Sequence, residues 1–246
     1  MNRMVAIKDS SYPRKPNEAS VALIKAFLFD LGNTLVSYYS RDEFPMVLAE
    51  CIGRCTQLLL GKGVSFRDDG LWGRVKDQNH EPPDDRVRPL EDRLGCIFGV
   101  DDGETVNALC GAFLEPIFEL AVLHGDVKPT LVKLRLKGIK TAIVSNTPWG
   151  SPAGLWRREL DRLGLVGLVD AAVFCRDVGW RKPDGRVFLR ALGLLGVGAC
   201  DAVFVGDDPR WDVEGARRLG MRCVLVDRSG GGPGALCGLG GLLGLL

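Results

Sequence analysis

Polar side chains of complementary chemistry each come directly after a short apolar run. Asp30 follows Phe27-Leu28-Phe29. Ser145 and Asn146 follow Ala142-Ile143-Val144. Asp207 and Asp208 follow Phe204-Val205-Gly206, with Asp212 close behind, and Lys182 lies in the loop that precedes Asp184. Carboxylate oxygens suit a hard divalent cation such as Mg²⁺, while a hydroxyl and an ammonium suit a phosphoryl group. Gathered at one edge, this set has the equipment to bind a metal and a phosphate together.

Five apolar runs must do the gathering: residues 26–29, 141–144, 171–174, 202–205 and 223–226. They do not alternate apolar with polar, so both faces are expected to be buried, as in parallel strands covered by helices on either side. Helical patterns separate the later runs. Residues 129–137 put Leu131, Val132 and Leu134 on an inner face, and residues 152–163 follow Ser151 as N-cap. Asp184 precedes a helix carrying Val187, Phe188, Ala191, Leu192 and Leu195, ended by Gly196; a last helix carries Val213, Ala216 and Leu219 and stops at Gly220. This alternation predicts an α/β fold: a doubly wound parallel sheet, Rossmann-like, whose strand C-termini carry the ligand site.

Residues 38–125 break the rhythm. They show no clear strand run, and residues 42–60 and 104–123 read as helices with a polar, proline-containing loop at 79–88. Too long for an ordinary crossover, the segment is expected to be a smaller α-helical cap domain over the sheet edge. The expected organisation is a core of residues 1–37 and 126–228, a cap of residues 38–125 and a glycine-rich tail of residues 229–246, mobile or loosely docked.

Net charge of +1 argues against a nucleic-acid binder. Residues 1–20 carry no apolar core of a secretory signal, and the apolar tail is too short to span a bilayer. Eight cysteines without a CxxC, distant in sequence from both histidines, disfavour zinc; several lie in apolar runs, as buried free thiols do, which points to a reducing cytoplasm, and Cys51 and Cys55 share a helical face. No GxGxxG follows the first run and no GxxxxGK[ST] occurs, which leaves little room for a nucleotide-binding oxidoreductase.

Four ordered motifs carry a more specific likeness. Phe29-Asp30-Leu31-Gly32-Asn33-Thr34-Leu35, Val144-Ser145-Asn146-Thr147, Arg181-Lys182-Pro183-Asp184, and Val205-Gly206-Asp207-Asp208-Pro209-Arg210-Trp211-Asp212 followed by Gly215-Ala216 resemble, in order, the four motifs of the haloacid dehalogenase-like superfamily. The resemblance implies a phosphatase in which Asp30 attacks phosphorus and becomes an aspartyl phosphate that water hydrolyses. It implies that Asp30 and Asp207 bind Mg²⁺ through their side chains and Gly32 through its carbonyl oxygen. Ser145 and the Asn146 backbone N–H would hold phosphate oxygens, and Lys182 would neutralise charge. Asp212 would support Lys182 or the metal's waters, Asp208 would be a further ligand or lie just outside the ligands, and Thr34 would also lie just outside them. The plain alternative for Asp208 and Asp212 is a pair of acids at a helix N-terminus. The partner implied is a small phosphorylated molecule, with neither nucleic acid nor membrane.

Position 32 departs from that pattern. The superfamily's phosphatases usually place there an Asp that protonates the leaving group and then activates water; here it is glycine. General acid–base help is worth about 10²–10⁴-fold. Three outcomes stay open: substrates whose leaving group needs little protonation, such as acyl or anomeric phosphates; a proton from Asp208 or a cap residue; or a weakly active or non-catalytic protein that works by binding. Arg41, Arg74, Arg86 and Arg88 are candidate anion contacts in the cap. His80 and His124 read as solvated or structural, Trp72, Trp156 and Trp211 as packing, and Trp149 as near the phosphate.

Overall fold

The computed structural model describes residues 23–230, 232 and 234–246. The expected absence of a secretory signal at residues 1–20 lies outside them.

Strands β1 (Ala26–Phe29), β4 (Lys140–Ser145), β5 (Ala171–Phe174), β6 (Ala202–Gly206) and β7 (Arg222–Leu225) form one sheet in the order β5-β4-β1-β6-β7. Every pairing is parallel. The five apolar runs therefore become the five strands. Side chains of β1 alternate between faces, as strand geometry requires. Phe27 and Phe29 enter one apolar cluster, while Ala26 and Leu28 join the other with Val187, Phe188, Ala191, Leu192 and Leu195 of α8 (Gly185–Leu195). Asp184 caps α8, accepting the Arg186 N–H at 2.8 Å, and Gly196 ends it with φ 63°.

From β1 the chain crosses outward through β4 to β5, then returns to the other side of β1 for β6 and β7. The direction of winding thus reverses between β1 and β6, and the crevice at their C-terminal ends is where such sheets bind ligands.

Between β1 and β4 come β2 (Val36–Ser37), α1 (Phe44–Gly61), α2 (Leu71–Gln78), α3 (Leu90–Phe98), α4 (Gly103–Glu119), β3 (Val122–Leu123) and α5 (Val127–Leu136). Strands β2 and β3 pair antiparallel, Val36 with Leu123 and Ser37 with Val122, so the chain leaves and re-enters side by side. Helix α1 buries Val47, Leu48, Cys51, Ile52, Cys55 and Leu59, a face of helical period, against α4. All eight cysteines are free.

Several local expectations are corrected. The helix expected over 104–123 ends at Glu119, because Val122 and Leu123 find backbone partners in β2. Val132 is 42% exposed rather than inward, and Trp72 is 56% exposed rather than packed. Ser151 does not cap α6 (Ala153–Arg162); it is fully buried and its hydroxyl accepts from Trp156 Nε1 at 2.8 Å. The tail is not loose. Leu239 and Leu242, three apart on a 3₁₀ turn over Leu239–Leu245, are fully buried in the same cluster as Phe27 and Phe29. The Leu239 N–H donates to Asp126 at 2.7 Å, Asp126 pairs with Arg228 at 2.8 Å, and the Arg228 guanidinium donates to the Thr34 carbonyl at 2.7 Å. Among the described residues no helix is long and apolar enough to cross a membrane.

Candidate active site

Asp30 stands one residue beyond β1, 7% exposed, its backbone N–H donating to the Val205 carbonyl of β6 at 2.9 Å. Asp207 follows β6, and Ser145 closes β4. Lys182 reaches this edge from the loop between α7 (Cys175–Val178) and α8. Its ammonium donates to Asp30 Oδ1 at 2.5 Å and to Asp212 Oδ1 at 2.6 Å, with all three residues buried. Asp212 sits in a π-helical turn, Pro209–Glu214, and its other oxygen accepts the Asp208 N–H at 3.0 Å. That approach requires Gly206, since a Cβ there would collide with the Asp212 carboxyl group.

One carboxylate oxygen from each of Asp30, Asp207 and Asp212 lies within 4.8 Å of the other two. Burial raises the pKa of Asp30, with Lys182 only partly opposing it and Asp207 adding to it. Burial, then the Asp212 charge, pushes Asp207 up to about 6; burial likewise pushes Asp212 up to about 6 against the pull of Lys182. For Lys182 burial works against the charge, but Asp212 and Asp30 outweigh it and hold the ammonium above its ordinary range. Three carboxylates against one ammonium leave two negative charges in a poorly solvated cluster. A hard divalent cation fits that deficit and that all-oxygen donor set.

Other expected residues are placed as follows. Thr34 is fully buried and its hydroxyl donates to Asp207 at 3.4 Å. The Ser145 hydroxyl is turned to the Asn146 carbonyl at 3.1 Å. Asn146 has a task the sequence did not suggest: its side chain accepts the Lys182 N–H at 2.8 Å and donates to the Lys182 carbonyl at 3.1 Å, a two-point grip on the lysine's backbone. Asp208 lies outside the carboxylate group and behaves as the helix-terminal acid. One oxygen accepts the N–H groups of Arg210 and Trp211 at 2.8 and 2.9 Å, and the other pairs with Arg41. Gly32 is open, with no atom within 4 Å of where a Cβ would project.

A cavity of about 710 Å³ covers the site. Asp30, Ser145, Lys182 and Asp207 line its floor, and Tyr39, Phe44, His80, Trp149, Arg41, Arg181 and Trp211 line the rest. Of the four expected cap arginines only Arg41 borders it. Arg74 donates to the carbonyls of Ile97 and Arg67 at 2.6 and 2.5 Å, Arg86 packs over Trp180, and Arg88 donates to Gln78. Trp149 is both packed and cavity-lining, stacked on Phe113 with its Nε1 donating to Asn79 at 3.2 Å. His124 faces Ser37 at 3.1 Å, away from the cavity. Sequence reasoning missed Arg181 and Arg93. The fully buried Arg93 guanidinium donates to the carbonyls of Gln78 and His80 and to Glu81, fixing the cavity-side loop. Its signal was a charge on the apolar face shared by Leu90, Leu94 and Ile97.

Comparison with known proteins completes the picture. The chain is 28% identical to a glyceraldehyde 3-phosphate phosphatase of Methanopyrus kandleri over 208 residues, 84% of this chain and 85% of that protein. The structure resembles a phosphatase from Thermococcus onnurineus (TM-score 0.64, 26% identity, 90% of this chain and 97% of that one). It also resembles a 2-haloacid dehalogenase from Pseudomonas syringae (TM-score 0.63, 25% identity, 91% and 98%). The sequence profile of the haloacid dehalogenase-like hydrolases matches residues 24–220, and with the strand-end residues arranged as described, the chain belongs to that family.

Proposed function

We propose that the chain is a magnesium-dependent phosphatase acting on a small phosphorylated molecule, with residues 126–228 and the segment up to residue 37 as core and residues 38–125 as a substrate-enclosing cap. The observation that carries the proposal is the excess of carboxylate over cation around Asp30: three carboxyl groups within 4.8 Å of one another with Lys182 as their buried ammonium. Attack on carbon bearing a halogen needs no such surplus, so the charge balance favours phosphate over a dehalogenase reading. The phosphatase names of similar proteins agree with this.

In this reading Asp30 bonds to phosphorus while the bond to the leaving oxygen breaks, giving an aspartyl phosphate. Water then attacks phosphorus and returns the electron pair to Asp30. Lys182 disperses charge on Asp30 and the phosphoryl oxygens, held by Asp212 on one side and by Asn146 behind. Ser145 and the Asn146 N–H cradle the phosphate. Mg²⁺, held by Asp30, Asp207 and the Gly32 carbonyl, would supply electrostatic neutralisation of the phosphate. Thr34 orients Asp207, and Asp212 positions Lys182. Eight free thiols support a reducing, cytoplasmic setting.

Phosphate release from a panel of phosphorylated metabolites, p-nitrophenyl phosphate and acetyl phosphate with MgCl₂ tests the proposal, with Asp30→Asn as the blank. Release that disappears in the variant and in EDTA is expected. A folded wild-type protein that releases nothing from any of them would instead be a binding module, the reading that Gly32 keeps alive.

A further inference from the structure

We infer that the site takes phosphates whose leaving group departs as a stabilised oxyanion, namely acyl phosphates, phosphoanhydrides and aryl phosphates, in preference to phosphate esters of ordinary alcohols. The inference rests on the phosphatase reading and narrows its substrate.

The first observation is the empty place at residue 32. A Cβ at this position would meet no atom within 4 Å beyond its chain neighbours, so nothing packs against the place where the side chain would start. Nor does the backbone demand glycine there, because Gly32 is outside the left-handed region. The second observation is that two of the carboxyl groups lining the cavity, Asp208 and Glu81 but not Asp85, are already committed as acceptors. Asp208 holds two N–H groups and Arg41, and Glu81 holds Arg93 at 2.9 Å and Arg181 at 3.2 Å. The cavity's phenols, Tyr38 and Tyr39, are pushed upward chiefly by burial and keep their protons. The third observation is the character of one cavity wall. The guanidinium carbons of Arg181 and Arg41 lie 5.2 and 5.5 Å from the Trp211 ring centroid, a cationic aromatic surface suited to a planar or anionic body.

Bond-making fixes the preference. As the Asp30 oxygen bonds to phosphorus, the breaking bond leaves its electron pair on the departing oxygen. A carboxylate, phosphate or phenolate keeps that pair without a proton, whereas an alkoxide does not. In the second step water attacks phosphorus, the pair returns to Asp30, and water's proton passes to phosphate or bulk solvent, with no base at position 32 to take it. Release of the first product should therefore outrun hydrolysis of the intermediate.

The test is a leaving-group series with MgCl₂: acetyl phosphate, ADP and p-nitrophenyl phosphate against glycerol 3-phosphate and glyceraldehyde 3-phosphate. It is run on wild type, Gly32→Asp and His80→Gln. Expected are a burst of p-nitrophenolate and alkyl esters turned over at least about 10²-fold more slowly than the activated substrates. Gly32→Asp should flatten that dependence and shrink the burst. Wild type hydrolysing glycerol 3-phosphate as fast as acetyl phosphate overturns the inference and leaves the phosphatase reading intact. A selective loss of alkyl-ester turnover in His80→Gln overturns it as well, by identifying an acid. No phosphate from any substrate with folded wild type sinks the phosphatase reading and the inference together. The wild-type slope decides the matter even if Gly32→Asp does not fold.

Discussion

Lys182 is the residue on which the site turns, because its ammonium is the sole cation bonded to Asp30 and Asp212 among the described residues. Removing one partner of a buried ion pair costs about 3–5 kcal/mol, since the remaining charge is stranded. Lys182→Met should therefore abolish turnover and lower the urea midpoint, and Mg²⁺ should recover part of the loss in stability. The raised carboxyl groups make a second prediction. Asp207 and Asp212 bind protons more tightly folded than unfolded, at about 6 against 3.8 for an ordinary aspartate. Their contribution is thus fully present below pH 3.8 and lost as pH rises through about 6. For Asp212 the loss is on the order of 2–3 kcal/mol. Thermal melts in EDTA should show metal-free stability falling across that window, with Mg²⁺ reversing the fall at neutral pH. Asp207 was legible because a charge that abruptly ends an apolar run has little other reason to be there, whereas Lys182 and Asp212 were picked out by the motif resemblance. The Asn146 grip and the Arg93 clamp were not legible, because each depends on backbone atoms brought near by folding.

At the scale of elements, the strands could be read almost residue by residue, since parallel strands buried on both faces leave unbroken apolar runs. Short pairings such as β2 with β3 could not, because two residues carry no periodicity and gain their stability from each other. The turn after β6 offers a paired test. Gly206→Ala places a methyl against the Asp212 carboxyl and should lower both the melting temperature and activity. Gly32→Ala meets no atom within 4 Å and should be neutral, or stabilising by about 0.4–1 kcal/mol through the unfolded chain. Melts of the two variants check this directly. Arg93→Met removes the guanidinium from the Gln78 and His80 carbonyls and leaves Glu81 paired with Arg181 alone. A raised KM with a smaller change in kcat is expected in steady-state assays, because the loop borders the cavity and not the reacting atoms.

The whole molecule joins parts that the sequence left separate. One apolar cluster runs from β1 through α1–α4 to the final leucines, so the inserted helices and the tail share a core with the sheet. Glycine-rich composition concealed the docking of the tail, since two leucines three apart are too little pattern to read. Leu239→Ala and Leu242→Ala should each cost about 2–5 kcal/mol, as truncations of buried leucines do, measurable by chemical denaturation.

The links from Leu239 to Asp126, from Asp126 to Arg228 and from Arg228 to the Thr34 carbonyl make the glycine-rich segment a remote brace for the loop that follows Asp30. A disturbance far along the chain should therefore be felt at the strand edge. Arg228→Met should lower turnover even where the protein stays folded, which steady-state assays set beside melts of the same variant would reveal.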